Sequence, residues 1–493
     1  MQLNIGLQSV CATIFTQCIA RANFTAIEKG MLFHSFTFLF AFLPLVWLAY
    51  MALRNTRLRP FVLIISGYVF YAWGSPWIAS LLFLSSTVDF TLGLLMEKAD
   101  SKRCRRLLLL VSLIFNLGLL AIFKYSSWAF EAVNHVLKLA EVSWQLPVIS
   151  LPLPPGISFY TFQSLSYIID IYRRKLHAHK RLADYYAFVA FFPQLFAGPI
   201  ERAGHLLPQI VHAPRVHPRM FESGVFLIVW GLFKKLVVAD NMANLTELCQ
   251  ANMSLSGAGI VLLLAFTVQI YADFSGYTDI ARGCARLFGI KLRRNFLTPY
   301  MALNPTDFWR RWHISLSSWI RDYLYVPLGG NRAGKWVTLR NLIITMGLAG
   351  LWHGASVYFI LWGLYHGMLL ALYRLVPIDR LLPAALARLL MFGFVVLGWG
   401  LFYAGSHGSL SRIFFPTEIP AATLPVYALW YGLFLFSLPV ALTDWLAFRK
   451  HREFSDLWPH FGRWLKVTVL VVLFYGIVLL GARDSHEFIY FQF

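Results

Sequence analysis

Residues 102–123 read KRCRRLLLLVSLIFNLGLLAIF. A tight cluster of cations, Lys102, Arg103, Arg105 and Arg106, runs straight into Leu107–Phe123, which carries no charge at all. A helix that crosses the ~30 Å hydrocarbon layer needs ~20 mainly apolar residues. Lys and Arg collect in the short loops on the cytoplasmic side of such helices. The same alternation recurs along the chain. Phe36–Leu53 ends in Arg54, Arg57 and Arg59; Phe61–Trp73 and Trp77–Leu95 follow, joined by the turn Gly74-Ser75-Pro76. Some of these runs reach spanning length only with their interfacial aromatics. Phe221–Ala239, Gly257–Ala272, Asn341–Leu351, Val357–Leu375, Leu389–Phe402, Val426–Leu446 and Val467–Leu480 continue the pattern. The expectation is an all-α fold, a polytopic transmembrane helical bundle of about 11–13 membrane segments.

Composition agrees. The chain is 58% hydrophobic and 13% charged, roughly half the charged fraction of a soluble protein. The net charge of +20 would suggest nucleic acid in a soluble domain. Here the cations fall in short clusters between apolar runs, such as Arg173/Arg174/Lys175, Lys291/Arg293/Arg294 and Arg449/Lys450/Arg452. That is loop topology, and nucleic acid is not expected as a partner. Placing these clusters in the cytoplasm puts Met31 outside, makes 124–150 an outer loop and leaves the C-terminus extracytoplasmic. Five cysteines at 11, 18, 104, 249 and 284 show no CxxC or metal-ligand spacing, so neither a disulfide framework nor a metal site is expected. Residues 1–30 lack both spanning apolarity and a signal-peptide pattern. They read as a disordered upstream extension, with Met31 as the functional start and 31–493 as a single membrane domain.

The middle of the chain is less regular. Leu151-Pro152-Leu153-Pro154-Pro155-Gly156 precedes the short segment Ile157–Tyr172, and Ala187–Pro199 is broken by Pro193, Gly198 and Pro199. Irregular backbone at membrane depth is tolerated only where protein or a water-filled cavity satisfies its polar groups. Some segments are therefore expected to be re-entrant, around a central tunnel.

The residues with chemistry lie later. Residues 308–332 read FWRRWHISLSSWIRDYLYVPLGGNR, and Leu351-Trp352-His353-Gly354 closes the apolar run Asn341–Leu351. A histidine at apolar depth is a functional candidate in a membrane protein, and its ordinary pKa suits acid–base work near neutrality. A lone buried histidine is more often structural, and His366, inside another span, is read that way. His313, flanked by arginines, and His353 both stand beside tryptophan, which favours catalysis. Arg310, Arg311, Arg321 and Arg332 suit the phosphates of a cytoplasmic donor, or act only as topological signals. Tyr271–Asp279 reads YADFSGYTD. Its two carboxylates are ~600° of helix apart and do not share one face. They either cap helix ends and pair with Arg282, Arg286 or Arg293, or line a polar funnel, giving Asp273, Ser275, Asp279 and Trp352 as tunnel-lining candidates. No GxSxG, HExxH or phosphate-cradling glycine loop is present, which leaves hydrolase, zinc-protease and NTPase chemistry unsupported.

FFPQLFAGPIER, YADFSGYTDIARG, FWRRWHISLSSWIRDYLYVPLGGNR and LAGLWHGAS, in that order, resemble the membrane-bound O-acyltransferase family. The likeness is strongest to its bacterial branch of alginate O-acetyltransferases, peptidoglycan O-acetyltransferases and the D-alanyl transferase of teichoic acids. It runs from Met31 to the C-terminus. The resemblance implies a helical bundle around a tunnel in the bacterial inner membrane, with His353 as the catalytic histidine and His313 as the second polar residue. It implies acetyl-CoA as a donor substrate rather than a bound cofactor. It also implies an exported polysaccharide acceptor and a periplasmic serine-esterase-like acetyltransferase as partner. Phe488–Phe493 resembles an aromatic motif in which the tyrosine, here Tyr490, is an acyl relay; an interfacial anchor is the plainer reading. Alternatives within the family are peptidoglycan O-acetylation and D-alanyl transfer. The alternative of another class is a transporter or flippase of lipid-linked glycan, which would have no need of His353.

Overall fold

The structure is a computed structural model that describes residues 31–489 apart from 149–150, 197, 213, 254, 256, 408–424 and 483–485. Residues 1–30 and 490–493, and with them Tyr490, lie outside the described residues. Among the described residues every regular element is helical.

The first quarter holds α1 (Leu43–Leu53), α2 (Arg59–Ala72), α3 (Ile78–Lys98) and α4 (Lys102–Leu139). α4 departs from expectation. It does not stop at Phe123 before an outer loop but runs on unbroken to Leu139. Residues 124–139 contain no Gly or Pro and several strong helix formers, so nothing in them ends the helix begun at Lys102. The basic clusters do more than mark topology. Buried Arg105 donates to the carbonyls of Ile171 and Tyr172 at 2.9 and 2.8 Å, the last turn of α5 (Ile157–Tyr172). Arg59 donates to the carbonyls of Ile210 and Val211 at 2.6 and 2.7 Å. Cations satisfy orphan carbonyls and the negative pole at helix C-termini. These bonds gather the basic loops at one end of the bundle.

The interrupted middle matches its reading. After α5 come α6 (Leu182–Val189), buried from Asp184 onward, and a single buried turn, Phe192–Leu195. α7 (Pro218–Phe233) passes through a π-helical stretch, Lys234–Ala239, into α8 (Asp240–Ala251). α9 (Ala258–Leu287) is the most enclosed span. It lies against α7 backbone to backbone. A Cβ on Gly231 would stand 2.5 Å from the Gly276 carbonyl oxygen, and one on Gly283 would stand 2.6 Å from that of Gly224. Small residues let helices approach this closely in a membrane, where packing replaces the hydrophobic effect.

Then follow α10 (Pro305–Arg311), α11 (Ile314–Ile320), α12 (Lys335–His353) and α13 (Val357–Leu375). α12 and α13 form a tight hairpin. Cβ atoms at Gly350 and Gly363 would lie 2.1 Å from the Phe359 and 2.2 Å from the Met346 carbonyl oxygens. α14 (Ala384–His407), α15 (Val426–Arg449) and α16 (Arg463–Leu480) complete the order. Six described helices, α3, α4, α9, α14, α15 and α16, are long and apolar enough to cross a membrane; α1 with the π turn before it, and α2, are shorter apolar helices. α16 exposes Val471, Val472, Phe474 and Tyr475, the face of a helix solvated by lipid.

Candidate functional site

His313 stands between α10 and α11, at φ 42° and ψ 54°. A left-handed backbone is uncommon outside glycine and is kept only where surrounding bonds impose it. Here they do. The Ile314 N–H donates to the Asn295 carbonyl at 2.8 Å. The Ser315 hydroxyl donates to Asn295 Oδ1 at 2.6 Å, and Asn295 Nδ2 donates to Thr278 Oγ1 at 3.2 Å. Ser315 Oγ also accepts from the Ile200 N–H at 3.0 Å. Three of the quoted motifs, from 191–202, 271–283 and 308–332, thus meet around one asparagine. The imidazole is 1% exposed and lies edge-to-face with Phe274, ring centres 4.6 Å apart.

The fourth motif brings His353, the last residue of α12 and 5% exposed. Its ring lies 4.9 Å from Trp352, 5.0 Å from Trp362 and 5.3 Å from Phe402. Trp352 also faces His313 at 6.4 Å. The two histidines, forty positions apart in the chain, therefore flank a single indole. Behind that indole Phe162 is stacked at 5.3 Å, and Trp319 on Phe162 at 3.9 Å. Aromatic neighbours on this scale fix a ring's position without supplying charge.

His353 opens onto a cavity of about 40 Å³ lined by Lys124, Pro154, Gly156, Phe159 and Trp352. That is room for a few water-sized groups. Lys124 Nζ donates to the Trp352 carbonyl at 2.7 Å and sits 5.7 Å from the centre of its ring. The Tyr125 hydroxyl donates to the Leu351 carbonyl at 2.7 Å. The extension of α4 thus caps the helix end that carries His353. Along α4, Lys124 is ~33 Å from Lys102, about the thickness of the hydrocarbon layer. This cavity is at the end of the bundle opposite the basic loops.

A second cavity of about 40 Å³ enters from the basic end, lined by Lys234, Tyr271, Ser275, Asp279, Arg282 and Glu453 among others. Lys234 Nζ is 2.6 Å from Asp279 Oδ2 and donates to Ser275 Oγ at 2.9 Å. Arg282 bridges Asp279, at 3.2 Å, and Glu453. Phe296 lines this cavity and packs against Trp312, the chain neighbour of His313, with ring centres 5.0 Å apart. Ser275 and Asp279 face this cavity, and Asp279 is charge-paired as one sequence reading expected. Neither carboxylate caps a helix end; both lie within α9. Asp273 takes a different partner, Lys235, at 2.9 Å.

The arginines do not join the histidines. Arg311 is tied to Asp307 at 2.7 Å and to Thr298 Oγ1 at 3.1 Å. Arg321 pairs with Asp322 at 2.8 Å, which Arg202 also holds at 2.7 Å. Arg310, Arg321 and Arg332 are exposed. His366 is buried between Phe308, Trp309 and Trp362. Three functional-looking residues escape the sequence reading: Lys124, Lys234 and Lys235. The two adjacent lysines inside the apparent span Phe221–Ala239 were the available signal, since an intramembrane cation marks a site by default. Lys124 carries no such mark, because its segment reads as loop.

Residues 65–377 match the model of the membrane-bound O-acyltransferase family. The chain is 41% identical over 466 residues to a probable alginate O-acetylase of Pseudomonas syringae pv. tomato, covering 93% of this chain and 83% of that one. It is 42% identical over 383 residues to a probable alginate O-acetylase of Pseudomonas aeruginosa, covering 76% and 72%. It is 35% identical over 421 residues to a peptidoglycan O-acetyltransferase of Helicobacter pylori, covering 78% and 79%. The chain belongs to the membrane-bound O-acyltransferase family. It is an O-acyltransferase and a multi-pass membrane protein.

Proposed function

We propose that this acyltransferase moves acetyl from a cytoplasmic thioester, acetyl-CoA, to the far side of the inner membrane for O-acetylation of an exported polysaccharide such as alginate. The observation that carries the reading is the pair of buried histidines on either side of Trp352, with His353 opening on the cavity away from the basic loops. His353 acts as general base. Its imidazole takes the proton of the acceptor hydroxyl as the oxygen attacks the thioester carbonyl; the C–S bond then breaks, and the imidazolium returns that proton to the departing sulfur, which leaves as the thiol. His313 orients the donor or stabilises the developing oxyanion. The donor enters from the basic end, where Arg310, Arg321 and Arg332 stand at the surface for its phosphates.

In this reading the first acceptor is the phenol of Tyr490, an acyl relay on the extracytoplasmic C-terminus. A periplasmic serine-esterase-like acetyltransferase then carries acetyl to the glycan. Acetyl is preferred to D-alanine because the O-acetylating relatives are 35–42% identical, against 28–30% for two teichoic acid D-alanyltransferases. The test is mass analysis of surface polysaccharide from cells with and without this protein. Acetyl esters that disappear with the protein support the reading. An unchanged acetyl content, or loss of D-alanine instead, overturns it.

A further inference from the structure

Beyond α16 the chain turns back into the bundle. The Ala482 N–H donates to the Leu236 carbonyl at 2.9 Å. The His486 carbonyl accepts from Lys235 Nζ at 2.9 Å, and the His486 ring bonds Asn244 Oδ1 at 2.6 Å. The Ile489 N–H donates to Asp273 Oδ2 at 2.8 Å. Phe488 and Ile489 are 0% and 2% exposed. The Phe488 ring sits 4.2 Å from Tyr277 and 5.8 Å from Phe274, the same phenylalanine that holds the edge of His313.

Two physical points give this arrangement a task. An irregular segment at this depth must find partners for its N–H and C=O groups inside the protein. Lys235 and Asp273 supply one of each. They are part of a triad in which Lys235 Nζ lies 2.9 Å from both Asp240 Oδ1 and Asp273 Oδ1. Buried ions are a poor way to pack helices, since apolar residues of similar volume serve stability as well or better. Both lysines stand on the π-helical stretch Lys234–Ala239 and address different carboxylates on α9, Lys234 taking Asp279 and Lys235 taking Asp273. π-Bulges concentrate at functional sites.

We propose that Lys235, Asp240 and Asp273 form a clamp that positions the segment 486–489 as one wall of the acyl-transfer site, against Phe274 and so against His313. These are positioning residues. The proposal rests on the reading of His313 and His353 as the site of transfer. It makes Asp273 a determinant of turnover rather than of donor binding.

The test introduces Ile489→Cys in a Cys104→Ser background of the full chain and follows maleimide labelling of the introduced thiol by peptide mass spectrometry. The clamp predicts slow labelling in this parent and labelling at least ~10-fold faster with Asp273→Ala. Asp273→Asn retains an oxygen for the Ile489 N–H and gives an intermediate rate; it carries the same test if the alanine variant does not elute as a single species. With Ile489 left in place, Asp273→Ala lowers kcat for acetyl transfer by ~10-fold or more, leaves the donor KM within about twofold, and Asp273→Asn restores part of the loss. Labelling unaffected by Asp273→Ala overturns the clamp. So does faster labelling with kcat unchanged. The labelling arm uses no substrate, so it reads the clamp even if the transferred group is not acetyl.

Discussion

Lys124 offers a sharp quantitative test of how the site is built. Its ammonium donates to the Trp352 carbonyl at 2.7 Å, at the negative end of α12, one residue before His353. Lys124→Met keeps the unbranched stem and removes the donor. A hydrogen bond from a charged group contributes ~1.5–3 kcal/mol. If that energy holds His353 in its reactive position, losing it in the transition state costs ~10–150-fold in rate, at ~1.4 kcal/mol per tenfold. Tyr125→Phe removes a neutral bond to Leu351, 2.7 Å long, worth ~0.5–1.5 kcal/mol, and should cost ~2–13-fold. The assay is steady-state transfer of radiolabelled acetyl by purified protein in detergent, with donor and acceptor varied separately. The loss should appear in kcat, with the donor KM unchanged, because the donor is expected at the opposite, basic end. Lys124→Met with kcat within twofold of the parent, in a protein of normal monodispersity, refutes the idea that this cap positions His353.

Further expectations follow the same geometry. Arg310→Ala should raise the donor KM with kcat kept, whereas Arg311→Ala, which breaks the 2.7 Å pair with Asp307, should lower the melting temperature instead; the reverse assignment in kinetics and thermal melts would count against the donor surface. Gly350→Ala puts a methyl 2.1 Å from the Phe359 carbonyl oxygen, so the α12–α13 hairpin must open, and size-exclusion profiles should show lower yield of folded protein and an earlier melt. Tyr490→Phe should stop glycan acetylation with donor binding intact, and an acetyl ester should be found on the C-terminal peptide when the periplasmic partner is absent; normal acetylation by this variant would reduce Tyr490 to an anchor.

Much of the bundle is legible in the sequence because apolar runs and basic loops report membrane solvation directly. α5 begins and ends where its apolar segment does, and α2, α3 and α15 fall within a few residues of theirs. α4 overruns its expected end at Phe123 because loss of apolarity is not loss of helix. Those are separate properties: residues 124–139 lack breakers, so the helix persists into more polar surroundings. The histidine pair is visible through its motifs, but its meeting at Trp352 is not, since no local pattern encodes a contact across forty positions. The roles of Asp273 and Asp279 are half-legible. The pairing of Asp279 with Arg282 is local, at i and i+3. The partners of Asp273 are a lysine on a π-helical stretch and a backbone N–H more than two hundred positions away, and periodicity carries no trace of either.

The central claim is that His353 is the base of the transfer reaction, and the direct measurement is the acetyl-transfer rate of purified His353→Ala beside the parent, with donor affinity measured on the same preparations. A general base at this position predicts a loss of ~10²–10⁴-fold, the usual contribution of a positioned base, with donor affinity and membrane insertion unchanged. A well-folded His353→Ala protein that transfers acetyl at a near-parental rate would contradict it.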